Sequence, residues 1–302
     1  MLNLFKTPAT LLTTLIACAL PWAIAPTAIA EVTPRSTTPG DLATDAETES
    51  YYDKAREELP HNLYMLYRIV ERIARANDLD NHPWRVVVAD DSLINAYATE
   101  VNLVIVHYGL LDQMAGDVSA LACVVGHEMA HHTEQHIAIR TSRSVDWQEE
   151  FRNSQSREYQ ERISNLARTH EAEADRIGYE YSVTAGFDAS GCLRGLEMLS
   201  RLPGTLRDSD THPAVPRRIE AIQELMQEKP PEVLRASGHL GLTTSQPLSY
   251  EMVEDQSWLR INSERGGSFV EDWNRIFPDD VIDPNFEPAE EEKVSEEDEN
   301  AS

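Results

Sequence analysis

The chain has 302 residues, with 26 Lys and Arg set against 52 Asp and Glu and a formal net charge of -26. Its apolar content of 41% is that of a globular protein, and the length allows one sizeable domain with extensions or two modest ones. So acidic a balance lacks the clustered Lys and Arg that phosphate neutralisation requires, which argues against nucleic acid and against anionic lipid as partners.

Residues 1–30 have the pattern of a signal peptide. Lys6 is their only charge, Leu11 to Leu20 is nearly all apolar, and Ala28-Ile29-Ala30 has the small-x-small form that precedes cleavage. The segment predicts export to the periplasm. Leu15-Ile16-Ala17-Cys18 also fits a lipobox, so an outer-membrane lipoprotein with a lipid anchor at Cys18 is the alternative. The apolar run continuing through Trp22 and Ile24 favours simple export. No later stretch approaches the roughly eighteen apolar residues of a membrane span, so none is expected in the mature chain. Of the remaining cysteines, Cys123 and Cys192 both fall in apolar helical patterns. A single pair makes no disulfide framework, and two buried free thiols are expected.

Residues 31–50 are rich in Thr, Pro, Ser and acidic groups and read as a flexible linker. From Tyr51 the pattern is helical, with Leu63, Leu66, Tyr67, Val70, Ile73 and Ala74 at three- and four-residue steps and Pro60 opening the main helix. Trp84–Val88 and Leu103–Val106 have strand character, and Ile94–Ala98 between them is a third candidate, so a small sheet follows. A helix from Asp117 places Val118, Leu121, Ala122, Val125, Met129 and Ala130 on its apolar side. The polar stretch 141–165 predicts a charged helix or a mobile lid. A helix from His170 to Tyr181 is closed by Gly186, and Cys192–Leu202 and Val215–Gln227 are two more. Beyond Pro230 the signal weakens: residues 229–283, with Trp258, Leu259, Ile261, Phe269, Trp273, Ile276 and Phe277, predict an accessory region, and 284–302 an acidic disordered tail.

The segment His127-Glu128-Met129-Ala130-His131 carries the chemistry. Helical residues four apart share a face, so both imidazoles can bind one metal ion while Glu128 projects toward the same cleft. Zinc suits imidazole nitrogen, and a coordination position left to water makes such a site catalytic. Two His leave it short of a third protein ligand. Glu171-Ala172-Glu173-Ala174-Asp175 supplies one: Glu171 and Asp175 share a face, whereas Glu173 lies about 200° round from Glu171. Glu171 is therefore the candidate carboxylate ligand, and Asp175 the acceptor that fixes the tautomer of a ligating imidazole. His132 and His136 neighbour the motif without an assigned role, and His107 and His170 read as satisfied polar residues near the cleft. The longer metzincin pattern is excluded, because Glu134 and Ile137 stand where it needs Gly and His.

Taken together, His127 to His131, Glu171 to Gly178, the Asn95-Ala96-Tyr97-Ala98 segment, and Thr211-His212-Pro213 followed by Arg218 resemble peptidase family M48. This is the gluzincin group of HtpX, BepA and the CAAX prenyl proteases, and the resemblance covers roughly residues 51–228. It implies an α+β, mainly helical zinc metalloprotease domain with a small sheet beside the H-E-x-x-H helix. One Zn2+ would be held by His127, His131 and Glu171, with Glu128 as general base and an edge strand, Asn95, Ala96 and Tyr97, holding substrate. Arg218 or His212 would supply the oxyanion donor, and His212 alternatively latches the metal. Two features depart from the pattern. Glu100-Val101-Asn102 replaces a common Pro-Gly-Gly turn, and residues 229–302 lack tetratricopeptide periodicity. The soluble, exported, BepA-like branch fits best, which implies an endopeptidase acting on misfolded or unassembled envelope proteins. A chaperone-like client-binding protein with a His212-capped metal site is the alternative.

Overall fold

The structure, a computed structural model, describes residues 45–99, 102–151, 156–253 and 258–263. The expected signal peptide with Cys18, the linker up to residue 44, the apolar residues from Phe269 to Phe277 and the acidic tail lie outside the described residues.

Helix α1 (Asp45–Glu58) begins inside the segment expected as linker. Acidic residues near a helix start complement its dipole, so Glu47 and Glu49 favour helix where composition alone suggested coil. Helix α2 (His61–Ala76) follows Pro60 and buries Leu63, Leu66, Tyr67, Ile69, Val70, Ile73 and Ala74. Each such large apolar side chain, fully withdrawn from water, contributes about 1.5–3 kcal/mol. One turn of the same helix buries charge as well. Glu71 and Arg75 pair at 2.7 Å, Tyr52 of α1 donates to Glu71 Oε1 at 2.7 Å, and Arg75 donates to the carbonyls of Leu242 and Ser245. This network ties α1 and α2 to α9 (Pro231–Thr244).

The strands β1 (Trp84–Ala89), β2 (Ala96–Ala98), β3 (Leu103–His107), β4 (Tyr250–Val253) and β5 (Trp258–Ile261) form one sheet in the order β2-β3-β1-β5-β4. β1 and β3 run parallel, and the other pairs are antiparallel. Thus Trp258 to Ile261, expected in an accessory unit, extend the main sheet by pairing with β1. Their alternating burial, with Leu259 and Ile261 inside, fits a strand with one face on the core. At the opposite edge β2 pairs only with β3 among the described residues. His107 N donates to Asn95 O and Thr99 N to Leu103 O, so alternation leaves the main-chain groups of Ala96 and Ala98 facing the open side.

The short α3 (Tyr108–Gln113) leads to α4 (Val118–Thr133), whose N-cap Asp117 accepts from Ala120 N at 3.0 Å. The polar stretch adopts the helical alternative: α5 (His136–Phe151) is largely exposed, and α6 (Arg157–Thr184) runs back along α4. α6 starts well before His170, because Ser156 caps it by accepting from Tyr159 N. Gly186, at φ +89°, takes the left-handed conformation just beyond its end. α7 (Ser190–Leu199) and α8 (Val215–Glu228) complete the helical layer around Tyr179, Val183, Leu196 and Ile222.

α4 and α6 meet backbone to backbone. A Cβ on Gly126 would lie 2.9 Å from Gly178 O, and one on Gly178 would lie 2.6 Å from His127 N. A mid-helix glycine normally costs about 0.5–1 kcal/mol relative to alanine, and the close approach is what it provides in return. A Gly178→Ala substitution should lower stability by about 1–3 kcal/mol by overpacking this crossing, read as a reduced denaturation midpoint. No change in the midpoint would show that the helices can separate freely.

The two cysteines are not free thiols. Packing of α7 on α4 brings the Cα atoms of Cys123 and Cys192 to 5.2 Å, and they form a disulfide. Each sits in an apolar stripe of its own helix, and sequence periodicity carries no information about which two stripes face each other. Closing a loop with a sequence separation of 69 restricts the unfolded chain. Replacing both cysteines by serine should therefore destabilise the protein by about 2–4 kcal/mol in equilibrium unfolding. Non-reducing peptide maps should contain a linked Cys123–Cys192 peptide that disappears with reductant.

Candidate metal centre

Because α4 presents residues four apart on one face, His127 and His131 stand one turn apart with their Nε2 atoms 3.1 Å from each other. The Gly126–Gly178 crossing then sets Glu171 of α6 opposite both. Glu171 Oε2 lies 3.3 Å from His127 Nε2 and Oε1 lies 3.4 Å from His131 Nε2. One ligand atom from each of these three residues falls within 4.8 Å of the others.

The surroundings favour a cation. Glu171 is 4% exposed, yet no donor is directed along a hydrogen bond to its Oε2, although two imidazole nitrogens stand nearby. Glu128, Glu171 and Asp175 bring three carboxylates together, and Arg218 is the guanidinium set among them. Burial alone would disfavour a charged His127, but Asp175 and Glu171 outweigh it and push its pKa up to about 10. The field that favours a proton there equally favours a metal ion. For Glu171 burial is likewise outweighed, by His127 and His131, so its carboxyl is held well below the usual range. Two imidazole nitrogens with one carboxylate are a donor set that zinc accepts, with a fourth position left for water.

Further contacts orient the donors. His127 Nδ1 is 3.0 Å from Asp175 Oδ1, and a proton held on that side of the ring would leave the lone pair of Nε2 free for the ion. Asp175 is itself gripped by Arg218, whose Nε and Nη2 each donate to a carboxylate oxygen at 2.6 Å. Burial opposes the charge on Asp175, but Arg218 and His127 prevail and lower its pKa to about 2. That bidentate grip uses Nε and Nη2 of Arg218 to position Asp175. Glu128 is 7% exposed, and burial raises its carboxyl above the ordinary range, Glu171 adding to the effect. His127, His131 and a hydrogen bond from the Ala98 backbone of β2 pull it back.

His212 enters the same site, its Nε2 3.3 Å from Glu171 Oε2 and its Nδ1 2.7 Å from Thr211 Oγ1, with half of its side chain exposed. Asn95 and Ala96 line the cleft beside Glu128, while Tyr97 is 43% exposed, its ring 5.8 Å from that of His107 and tilted by 39°. His107 pairs with Asp91 at 2.8 Å, as a satisfied polar residue.

His136 is the participant that sequence periodicity missed. Its Nδ1 lies 3.0 Å from His131 Nδ1, and its ring stacks on His170 at 4.2 Å with an 11° interplanar angle. Helical angles do not extend to it, because Gln135 adopts φ 56° and turns the chain back on α4. The signal available was a His just past the helix exit. Glu173, unassigned from sequence, lies 3.4 Å from His136 Nε2 and 3.5 Å from Arg176. Zinc titrated into metal-free protein should bind with one site per chain. Asp175→Asn should weaken that binding by about 10–100-fold while leaving the helical circular dichroism unchanged. Undiminished affinity would exclude Asp175 as an orienting group.

The sequence model of Peptidase family M48 matches residues 60–226, a span that holds each site residue from Asn95 to Arg218. Over 166 residues the chain is 28% identical to the mitochondrial metalloendopeptidase OMA1 of Arabidopsis thaliana, covering 50% of this chain and 33% of that protein. It is 28% identical over 185 residues to the protein of the same name from Schizosaccharomyces pombe, covering 56% and 54%. A third relative, the "Putative beta-barrel assembly-enhancing protease" of Vibrio cholerae, is 29% identical over 203 residues, covering 56% and 39%. The matches thus span between a third and about half of the relatives' lengths. With the family's sequence model matching more than half of its length and the mainly helical fold built around the H-E-x-x-H helix, the chain belongs to peptidase family M48.

Proposed function

We propose that the protein is a zinc-dependent metalloendopeptidase of the cell envelope that degrades misfolded or unassembled proteins. The observation that carries this is the convergence of His127, His131 and Glu171 beside a buried Glu128 whose carboxylate backs onto an open strand edge. Zinc, when held by these three side chains, supplies Lewis-acid polarisation and a water made acidic enough to react near neutral pH.

The residues of the chain perform the rest. Main-chain groups of Ala96 at the open edge of β2 bind an extended peptide by strand addition, largely independent of its side chains, which favours unfolded segments. Glu128 accepts the proton of the attacking water as the water oxygen bonds to the scissile carbonyl carbon, and returns it to the amine nitrogen as the C–N bond breaks. His212, half exposed at the mouth of the site, is positioned to donate to the oxyanion that develops. Asp175 and Arg218 keep His127 fixed throughout. The periplasmic assignment and the envelope substrates rest on the export signal read in residues 1–30 and on the likeness to the beta-barrel assembly-enhancing protease of Vibrio cholerae. No helix among the described residues is long and apolar enough to cross a membrane.

The proximity of His212 Nε2 to Glu171 also supports a second reading, in which His212 caps the metal and the open edge of β2 binds clients without cleaving them. Casein digestion by the zinc-loaded protein, with and without chelator and beside Glu128→Gln, separates the two. The enzyme reading predicts that Glu128→Gln retains zinc and loses cleavage, and that His212→Ala lowers turnover about 100-fold. Turnover that rises in His212→Ala supports the cap, and casein left intact by the unaltered protein contradicts the peptidase.

A further inference from the structure

The two imidazoles of the metal centre are presented alike but backed differently. Both turn Nε2 toward Glu171, at 3.3 Å for His127 and 3.4 Å for His131, which leaves Nδ1 of each ring on the far side. Asp175 stands behind His127 at 3.0 Å. Behind His131 the corresponding place is taken by a third imidazole, that of His136, whose Nδ1 lies 3.0 Å from His131 Nδ1.

A neutral imidazole that gives its Nε2 lone pair to a cation carries its one proton on Nδ1. On His131 that proton faces His136, so the hydrogen bond forms only when His136 Nδ1 offers a lone pair and its own proton sits on Nε2. Glu173 Oε2 lies 3.4 Å from that Nε2, on the side where the proton is needed. The ring has little room to swing away. His136 is 1% exposed, and it stacks at 4.2 Å on His170, the neighbour of Glu171 in α6. Charge gives a reason for an imidazole at this place. Glu128, Glu171 and Asp175 already crowd three carboxylates around the site, and a fourth behind His131 would add to a negative charge that is costly in the interior. A neutral ring accepts the hydrogen bond without adding any.

Resting on the zinc-binding reading above, we propose that His136 is a positioning residue of the metal centre: it accepts the Nδ1 proton of His131 and thereby holds Nε2 of that ring on the ion, as Asp175 does for His127.

The test compares the zinc affinity of the unaltered protein, measured by competition with a chromophoric chelator, with that of two variants. His136→Leu removes the acceptor, and His136→Asn supplies an amide oxygen near the place of Nδ1. His136→Leu should bind zinc about 10–100-fold more weakly, and His136→Asn should recover most of that loss. A role in packing alone would give the reverse order, because a buried position tolerates leucine better than an amide left without a partner. In the cobalt-loaded protein, proton NMR should show two strongly shifted, exchangeable imidazole N–H signals, one of which is lost to exchange with water in His136→Leu. Unchanged affinity or two unchanged signals in His136→Leu, or an affinity of His136→Asn no better than that of His136→Leu, overturns the positioning role and leaves the metal site standing. Failure of the unaltered protein to bind zinc overturns both.

Discussion

The site depends on two helices being allowed to touch. Gly126 and Gly178 bring the backbones of α4 and α6 so close that a methyl group on either would meet main-chain atoms of the other. That contact fixes the distance between a helix supplying two imidazoles and a helix supplying two carboxylates. Widening it would move Glu171 and Asp175 away from His127 together, since all three are placed by the same pair of helices. The disulfide from Cys123 to Cys192 holds the other flank of α4, so the helix carrying the motif is constrained on both sides.

Electrostatics explains what the close packing makes possible. Three nearly buried carboxylates around one guanidinium leave an excess of negative charge that the interior tolerates only with a compensating cation or protons on the imidazoles. The ordering of the charges is specific. Arg218 satisfies Asp175, Asp175 orients His127, and His127 together with His131 faces Glu171, so each group is held by the next. Glu128 stands apart from this chain, hydrogen-bonded instead to the sheet edge where a peptide would lie.

What was legible in the sequence was the local part. His127, Glu128 and His131 share one helical turn, and the four-residue step from Glu171 to Asp175 can be read without knowing any contact. The strands were equally visible, because the runs around Val86 and Val104 are dense in β-branched residues. Contacts between distant segments were not visible. Cys123 and Cys192 each look like packing residues until two helices are placed side by side. The pairing of β5 with β1 joins residues separated by most of the domain. His136 was obscured for a different reason: one residue in the left-handed region breaks the periodicity from which its direction would be inferred. Arg218 was identified as a site residue, but its engagement with Asp175 emerges only once α8 is set against α6.

Zinc K-edge X-ray absorption of the purified protein tests the central claim most directly, because it counts and identifies the atoms around the ion. The account predicts one zinc per chain in a four-coordinate shell of nitrogen and oxygen, with two imidazoles at about 2.0–2.1 Å and a carboxylate and a water at about 2.0–2.2 Å. A spectrum in which fewer than two imidazoles scatter would contradict it.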